Sequence, residues 1–242
     1  MDWLLYVGLG VAAVFASLVG AIAGLGAAII MLPLVTLAFG VQEAIPIVTV
    51  SMVLANAARA WVYRARIHWP VAKWFLIGAI PMALVGSLLF VNAPASLLTR
   101  LLGAFLLLEV AVRRLNIGKG RMKMTLRGFL PVGMLQGFVS ALVGAAGPVG
   151  APFYLAYGLM RGAFVGTAAI GTIGMHFTKI VIYRNSALLD GQALAVGLGI
   201  GVMMWIGAYM SKLVVDRISD KVFVHIIEAV MAIAGILFLV RG

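Results

Sequence analysis

Cysteine is absent from this chain of 242 residues, and charged side chains are scarce at 10%. Without thiols, the chain has no catalytic cysteine, disulfide, iron–sulfur ligation or thiolate zinc site. Acidic residues are rarer than basic ones, seven against eighteen, which gives a formal net charge of +11. Soluble domains are about a quarter charged. A chain that is 64% hydrophobic, with a mean hydropathy of +1.16, is therefore a membrane protein.

Long apolar runs fill nearly the whole sequence and leave no room for a soluble domain. A helical span needs about 20 residues, so this length allows on the order of ten spans. The first run lacks a basic leader and a clear cleavage site, so we treat it as a retained span. The runs predict ten segments, at about 4–20, 25–40, 44–63, 71–91, 96–112, 129–144, 147–160, 163–183, 191–211 and 220–240. The predicted fold class is an all-α polytopic membrane protein with about 8–10 transmembrane helices.

A basic linker at 114–127 divides the chain into a first half at 1–113 and a second half at 128–242. Cytoplasmic loops of membrane proteins are enriched in lysine and arginine. With the linker in the cytoplasm, thirteen of the eighteen basic residues fall on that side, counting Arg113 with the linker. We therefore expect a multi-pass protein of the inner or plasma membrane with both termini outside. The same placement explains the net charge, so no nucleic-acid partner is expected.

The two halves resemble each other when the chain is shifted by 120 residues. The polar matches of the third segments pair Asn56 with His176, Arg59 with Lys179, Tyr63 with Tyr183 and Arg64 with Arg184. Because each half has five segments, the halves would be inserted upside down relative to each other. This inverted-topology repeat is typical of secondary transporters, which place their substrate site near the midplane between the repeats.

The second segment of each half is short and rich in helix breakers, at 19–33 and at 143–152. Such paired segments indicate discontinuous helices, whose free N–H groups can bind an anion. Alternatively, the glycines only allow helices to pack closely. No Walker lysine follows either cluster, so neither is a nucleotide motif and no cofactor is expected. The candidate ligands here are Gly24, Gly26, Gly144 and Gly147.

At these residues the sequence resembles the sulfite exporter TauE/SafE family of membrane transporters. The first copy of the family pattern reads Gly24-Leu25-Gly26 through Pro33, then Glu43-Ala44, Ser51 and the turn at 64–69. The second copy reads Gly144 through Pro152, then Gly166-Thr167-Ala168. The glycine triplet of the family is reduced to Gly-Leu-Gly in the first copy and replaced by a proline-containing version in the second. The resemblance implies ATP-independent transport of small sulfur oxyanions or organosulfonates, such as sulfite or sulfoacetate.

Four polar residues inside the third segments are candidate substrate ligands. A charged residue in a span costs about 2.5–3.5 kcal/mol on insertion scales, so Arg59 and Lys179 need a reason to be there. Either they bind an anion, or they snorkel to the interface. Asn56 and His176 lie deeper on the same helix faces, where they either bind substrate or form interhelical hydrogen bonds.

His225 and Glu228 share one face of the last segment. Together they could relay a coupling proton, or Glu228 is a neutral or paired structural glutamate. The three histidines have no carboxylate at ligand spacing, so no metal site is expected.

The sequence thus predicts a secondary transporter or exporter that works by alternating access. Its partners would be a small anionic substrate and the lipid bilayer, with a proton or a sodium ion as the candidate coupling ion. The sequence does not indicate an oligomeric state. A passive anion channel and a membrane subunit that needs a partner protein are the alternatives. Catalysis is not expected, because no nucleophile, base and orienting acid occur together near one membrane face.

Overall fold

The computed structural model describes residues 3–22, 27–115, 123–214 and 220–241. Within these ranges the chain forms ten α-helices and a 3₁₀ turn at Arg64–Arg66. The helices are α1 (Trp3–Ile22), α2 (Ala28–Phe39), α3 (Val41–Val62), α4 (Trp69–Asn92), α5 (Ala95–Arg114), α6 (Phe129–Val143), α7 (Gly147–Ala156), α8 (Arg161–Asn185), α9 (Gly191–Val214) and α10 (Asp220–Arg241).

The all-α polytopic prediction is confirmed. Each predicted segment corresponds to one helix, and in the described residues five helices are long and apolar enough to cross a membrane. α2 and α7 are short, with 12 and 10 residues, and each contains an internal proline. α7 ends at Ala156, four residues before the predicted end of its segment. α5 continues to Arg114, the first residue of the predicted linker.

Local sequence signals start and stop the helices. The imidazole Nδ1 of His68 accepts a hydrogen bond from Val71 N at 3.4 Å, and Pro70 lies in the first turn of α4. Asp190 caps α9 in the same way, with Oδ1 accepting from Ala193 N at 2.7 Å. Gly40 separates α2 from α3 with a φ of +79°, a conformation that glycine adopts at little cost.

Glycines set the closest helix contacts, which join the two halves. A Cβ atom on Gly133 of α6 would overlap the carbonyl oxygen of Phe75 in α4. A Cβ on Gly78 of α4 would overlap the carbonyl oxygen of Leu130 in α6. Small residues allow membrane helices to approach at backbone distance. Since contacts farther along α4 fall farther along α6, with Gly86 against Ala141, the two helices run parallel.

Several helices of one half pack on the same kind of partners in the other half as their counterparts do. α4 packs on α6 and α8, and its counterpart α9 packs on α1 and α3. The counterparts α5 and α10 pack with Gly103 against Gly235 and Arg114 against Glu228, so they are antiparallel. α3 and its counterpart α8 are also antiparallel, because Tyr63 at the end of α3 lies against Gly162 and Gly166 at the start of α8. Antiparallel counterparts are what an inverted repeat requires, and they support that prediction.

Two hydrophobic clusters form the interior. The first joins α1, α2, α3, α5, α9 and α10 around residues such as Leu32 and Ile45, and also takes in the ends of α6 and α8. The second joins α4, α6, α7 and α8 around Phe75 and Phe129. The helices that line the functional cavity come from both clusters.

Candidate functional site

A cavity of about 100 Å³ lies where the two clusters meet. Residues of α2 and α3 from the first half, and of α6, α7 and α8 from the second half, line it. The predicted ligands that the structure places on its wall are Asn56, Arg59, Gly144, Gly147 and His176. Side chains from both halves therefore meet in one cavity, although they are far apart in sequence.

The α3 wall presents a guanidinium group to the cavity. Asn56 is buried and donates from Nδ2 to its own helix, at Met52 O, over 2.8 Å. Its Oδ1 accepts a hydrogen bond of 3.3 Å from Nη1 of Arg59. This bond directs Arg59 back toward the middle of α3 and away from the interface. Nη2 of Arg59 is buried and has no hydrogen-bond partner in the described structure.

The second half of the chain contributes two more unsatisfied polar atoms to the cavity lining. Nδ1 of His176 on α8 and Oε1 of Gln136 on α6 are buried, and neither has a partner among the described residues. Both residues line the cavity. A buried polar atom without a partner costs about 1–3 kcal/mol. Three residues with such an atom, Arg59, Gln136 and His176, thus line one cavity.

The two short helices both begin at the cavity. Ala28 and Ile29 in the first turn of α2 line it, as do Ala146 and Gly147 at the start of α7. No side chain caps either terminus. The first N–H groups of a helix have no intrahelical partner and carry a partial positive charge, so both termini suit an anion. Gly24 and Gly26, predicted here for the first half, lie outside the described residues.

Gly144 ends α6 in the left-handed conformation, with a φ of +76°. We expect Gly144→Ala to destabilise the fold by about 1–3 kcal/mol, because a non-glycine residue is strained there. The added methyl would also lie 3.1 Å from side-chain atoms of Leu32 and Ile45. Thermal unfolding in detergent measures the effect. Gly191→Ala, with no atom within 4 Å of its added methyl, is the control, and equal unfolding midpoints would refute the expected strain.

Lys179 takes a different position from the one its sequence spacing suggested. It is fully buried, so it does not snorkel, and it is not among the cavity-lining residues. Its Nζ donates to the carbonyl oxygen of Ser140 at 2.8 Å and to the hydroxyl at 3.2 Å. Ser140 lines the cavity. Lys179 therefore lies one residue behind the cavity wall.

The surroundings of the cavity contain positive charge without a matching carboxylate. Arg59 and Lys179 are the cations nearest to it, and Lys179 is bonded to neutral oxygens. The five lining helices carry one acidic residue, Glu43, which is exposed in the first turn of α3. Thirteen residues separate Glu43 from Asn56, about 20 Å by helical rise. Since buried charges need partners, a bound anion would supply the missing countercharge.

Sequence reasoning missed Gln136, Ser140 and Thr172, which all line the cavity. Gln136 carries the same signal as Asn56, an amide inside an apolar span, and could have been found in that way. Ser140 and Thr172 are small hydroxyl residues of a kind that occurs throughout membrane helices, so sequence alone does not distinguish them.

Glu228, the carboxylate of the predicted proton pair on α10, is not among the described residues that line the cavity. Oε2 of Glu228 lies 3.2 Å from Nε of Arg114 at the end of α5. The side chain of Glu228 is 9% exposed and that of Arg114 is 65% exposed. The side chain of His225 lies outside the described residues. In the part of the chain that the structure describes, no group of histidines and carboxylates could hold a metal ion.

A family model described as sulfite exporter TauE/SafE matches residues 9–238, nearly the whole chain. No curated protein and no solved structure matches the chain.

Proposed function

Because the chain belongs to the sulfite exporter TauE/SafE family, a family of membrane transporters of sulfur anions, we propose that its cavity binds a small sulfur oxyanion or organosulfonate such as sulfite or sulfoacetate. The observation that carries this proposal is the unsatisfied guanidinium Nη2 of Arg59 in a cavity whose described lining contains no carboxylate. The protein would release the anion on the other side of the membrane by alternating access.

The donor groups match what a sulfur oxyanion needs when it leaves water. Nη2 of Arg59 offers a charge-assisted hydrogen bond, which is about twice as strong as a neutral one. The free N–H groups of α2 and α7 offer further donors from two directions. Asn56 holds Arg59 in place, and His176 contributes a ring nitrogen. Lys179 donates to Ser140 O at the end of α6, next to the segment that lines the cavity.

The remaining wall fits the rest of a small organic anion. Met52, Phe164, Val165 and Met175 line the cavity beside the polar groups. Ligand sites commonly combine an apolar lining with a few placed polar groups. A methylene group next to a sulfonate, as in sulfoacetate, would contact these side chains.

The exchange of packing partners between the halves supports alternating access around one central site. We also propose that the basic linker, the 3₁₀ turn and the start of α8 face the cytoplasm. The backbone N–H of His68, just after the 3₁₀ turn, donates to Oγ1 of Thr167 on α8 at 2.9 Å. This bond is consistent with a common side for the two basic regions.

Flux of sulfite and of sulfoacetate into proteoliposomes that contain only the purified protein tests the proposal. We expect saturable flux that an excess of unlabelled anion inside the vesicle accelerates by counterflow. Flux that rises in proportion to concentration, without counterflow, would instead support a passive channel. No flux with the protein alone, but flux after a partner protein is added, would support the subunit alternative.

We expect Glu228→Gln to retain flux driven by a pH gradient to within about twofold. The ion pair with Arg114 favours the structural alternative for this glutamate, and a partly exposed pair is worth about 0–1 kcal/mol. Arg114→Gln removes the same pair from its other side and serves as the matched variant. If Glu228→Gln abolished gradient-driven flux while Arg114→Gln did not, the proton-relay hypothesis would be correct.

A further inference from the structure

Two side chains of α8 bind consecutive carbonyl groups in the last turn of α6. Lys179 donates to Ser140 O at 2.8 Å, and the hydroxyl of Tyr183, one turn later, donates to Ala141 O at 2.9 Å. Both side chains are fully buried, and the ring of Tyr183 also packs against Phe90 with centroids 5.1 Å apart. We call these two side chains the α8 clamp.

The clamp completes the end of a helix. The last carbonyls of a helix lack intrahelical partners, and the negative end of its dipole favours a cation there. Tyr183 supplies a donor to Ala141 O in this last turn, whereas Ser140 O already accepts from Gly144 N at 3.0 Å, so Lys179 is its second donor. α6 and α7 carry no charged residue, and the exposed Lys73 is the one charged residue of α4. The ammonium is therefore held by the helix end and not by a carboxylate.

The clamped turn leads directly into the broken segment. Gly144 follows α6 in the left-handed conformation, and Ala145, Ala146 and Gly147 then line the cavity before α7 continues. Gly144 follows Ala141 by only three positions. A shift of the last turn of α6 would therefore displace the free N–H groups at the start of α7.

We propose that the α8 clamp fixes this segment at residues 144–147, and that Lys179 and Tyr183 are positioning residues for anion binding rather than ligands. The inference rests on the proposed anion site for its functional consequence. Lys179 touches Ser140 and acts on the anion through the segment that follows. Tyr183 positions the same segment through the next carbonyl group, that of Ala141. It is the residue that the shift by 120 positions pairs with Tyr63.

The absence of cysteine provides a direct test of the position of the segment. Ala146→Cys places a single thiol at the start of α7, where its rate of alkylation by neutral iodoacetamide reports exposure. Lys179→Met in this background should raise the alkylation rate about tenfold or more, the size expected for losing a charged hydrogen bond. Tyr183→Phe, which removes only a hydroxyl, should raise it about twofold to tenfold.

Anion flux gives the second measurement. Both clamp variants should raise the half-saturating concentration of sulfoacetate, with the maximal rate within about twofold of the parent, since the segment can still adopt its binding position. Lys73→Met and Tyr209→Phe change an exposed lysine and an exposed tyrosine. These controls should change neither quantity.

Two outcomes would contradict the proposal that the α8 clamp positions the segment at 144–147. Unchanged alkylation in both clamp variants would show that the segment does not depend on these bonds. A raised half-saturating concentration for Lys179→Met with unchanged alkylation would make the lysine a ligand or a source of charge alone. If Lys179→Met does not fold, Tyr183→Phe decides the question. Alkylation is measured without anion, so it tests the clamp even if the parent protein transports no sulfur anion and the proposed function fails.

Discussion

Arg59→Ala is expected to lower anion flux at subsaturating concentration by about two orders of magnitude. Truncating one partner of a buried, hydrogen-bonded charge pair costs about 2–5 kcal/mol, and each 1.4 kcal/mol is a factor of ten. Arg59 is the only cation among the cavity-lining residues in the described structure, and its Nη2 has no other partner there. The substitution also removes the group that occupies Oδ1 of Asn56. The loss should therefore appear mainly in the half-saturating concentration.

Arg64→Ala is the matched control for this experiment. Arg64 lies five residues later, is exposed, and donates to Trp61 O at 3.0 Å with its guanidinium 4.8 Å from the centre of the indole ring. Its removal should change flux by less than about twofold, as expected for an exposed charge outside the site. Equal flux for Arg59→Ala and the parent, at equal amounts of reconstituted protein, would remove Arg59 from the site.

Gly133→Ala is expected to destabilise the protein by about 3 kcal/mol or more, at or above the upper end of the usual range for overpacking. The added methyl would overlap the carbonyl oxygen of Phe75 and lie 3.0 Å from Ala79 N. Both neighbours are backbone atoms of α4, so a rotamer change cannot relieve the clash. α4 and α6 must instead move apart along the contact that joins the two halves.

Thermal unfolding in detergent, followed by tryptophan fluorescence, measures this effect. Gly199→Ala in α9 is the control, because a Cβ there meets no atom within 4 Å and alanine favours a helix over glycine. It should leave the unfolding midpoint unchanged or raise it slightly. An unchanged midpoint for Gly133→Ala would mean that the contact between α4 and α6 adjusts at little cost.

The helices could be predicted from sequence because membrane length and apolar runs fix them with little help from tertiary contacts. The common helix face of Asn56 and Arg59 also followed from their spacing in the sequence, although the hydrogen bond between them was not predicted. The partner of Lys179 could not be predicted, because Ser140 lies 39 residues away and is reached only when α6 packs near α8. The ion pair of Glu228 with Arg114 likewise depends on the antiparallel packing of α5 and α10.

The sequence therefore indicated which residues belong to the candidate site better than it indicated which of them contact each other. Asn56, Arg59 and His176 could be selected from the sequence because a polar group inside a membrane span is energetically costly and usually has a function. Lys179 carries the same signal, and the structure places its Nζ on Ser140 at the end of α6, outside the set of cavity-lining residues. Gln136 on α6 is also an amide inside an apolar span, and it lines the same cavity.

The glycine contacts between α4 and α6 also determine which parts of the molecule can move as rigid bodies. Backbone-to-backbone contact at Gly78 and Gly133 prevents these helices from sliding past each other without separating. Under the proposed alternating access, the units that move are two mixed bundles, α4 with α6 and α8, and α9 with α1 and α3, each assembled from both halves of the chain. These bundles meet where α3 packs against α8. Arg59 on α3 and His176 on α8 both line the cavity, so an anion that bridges them would bind most tightly at one arrangement of the two bundles.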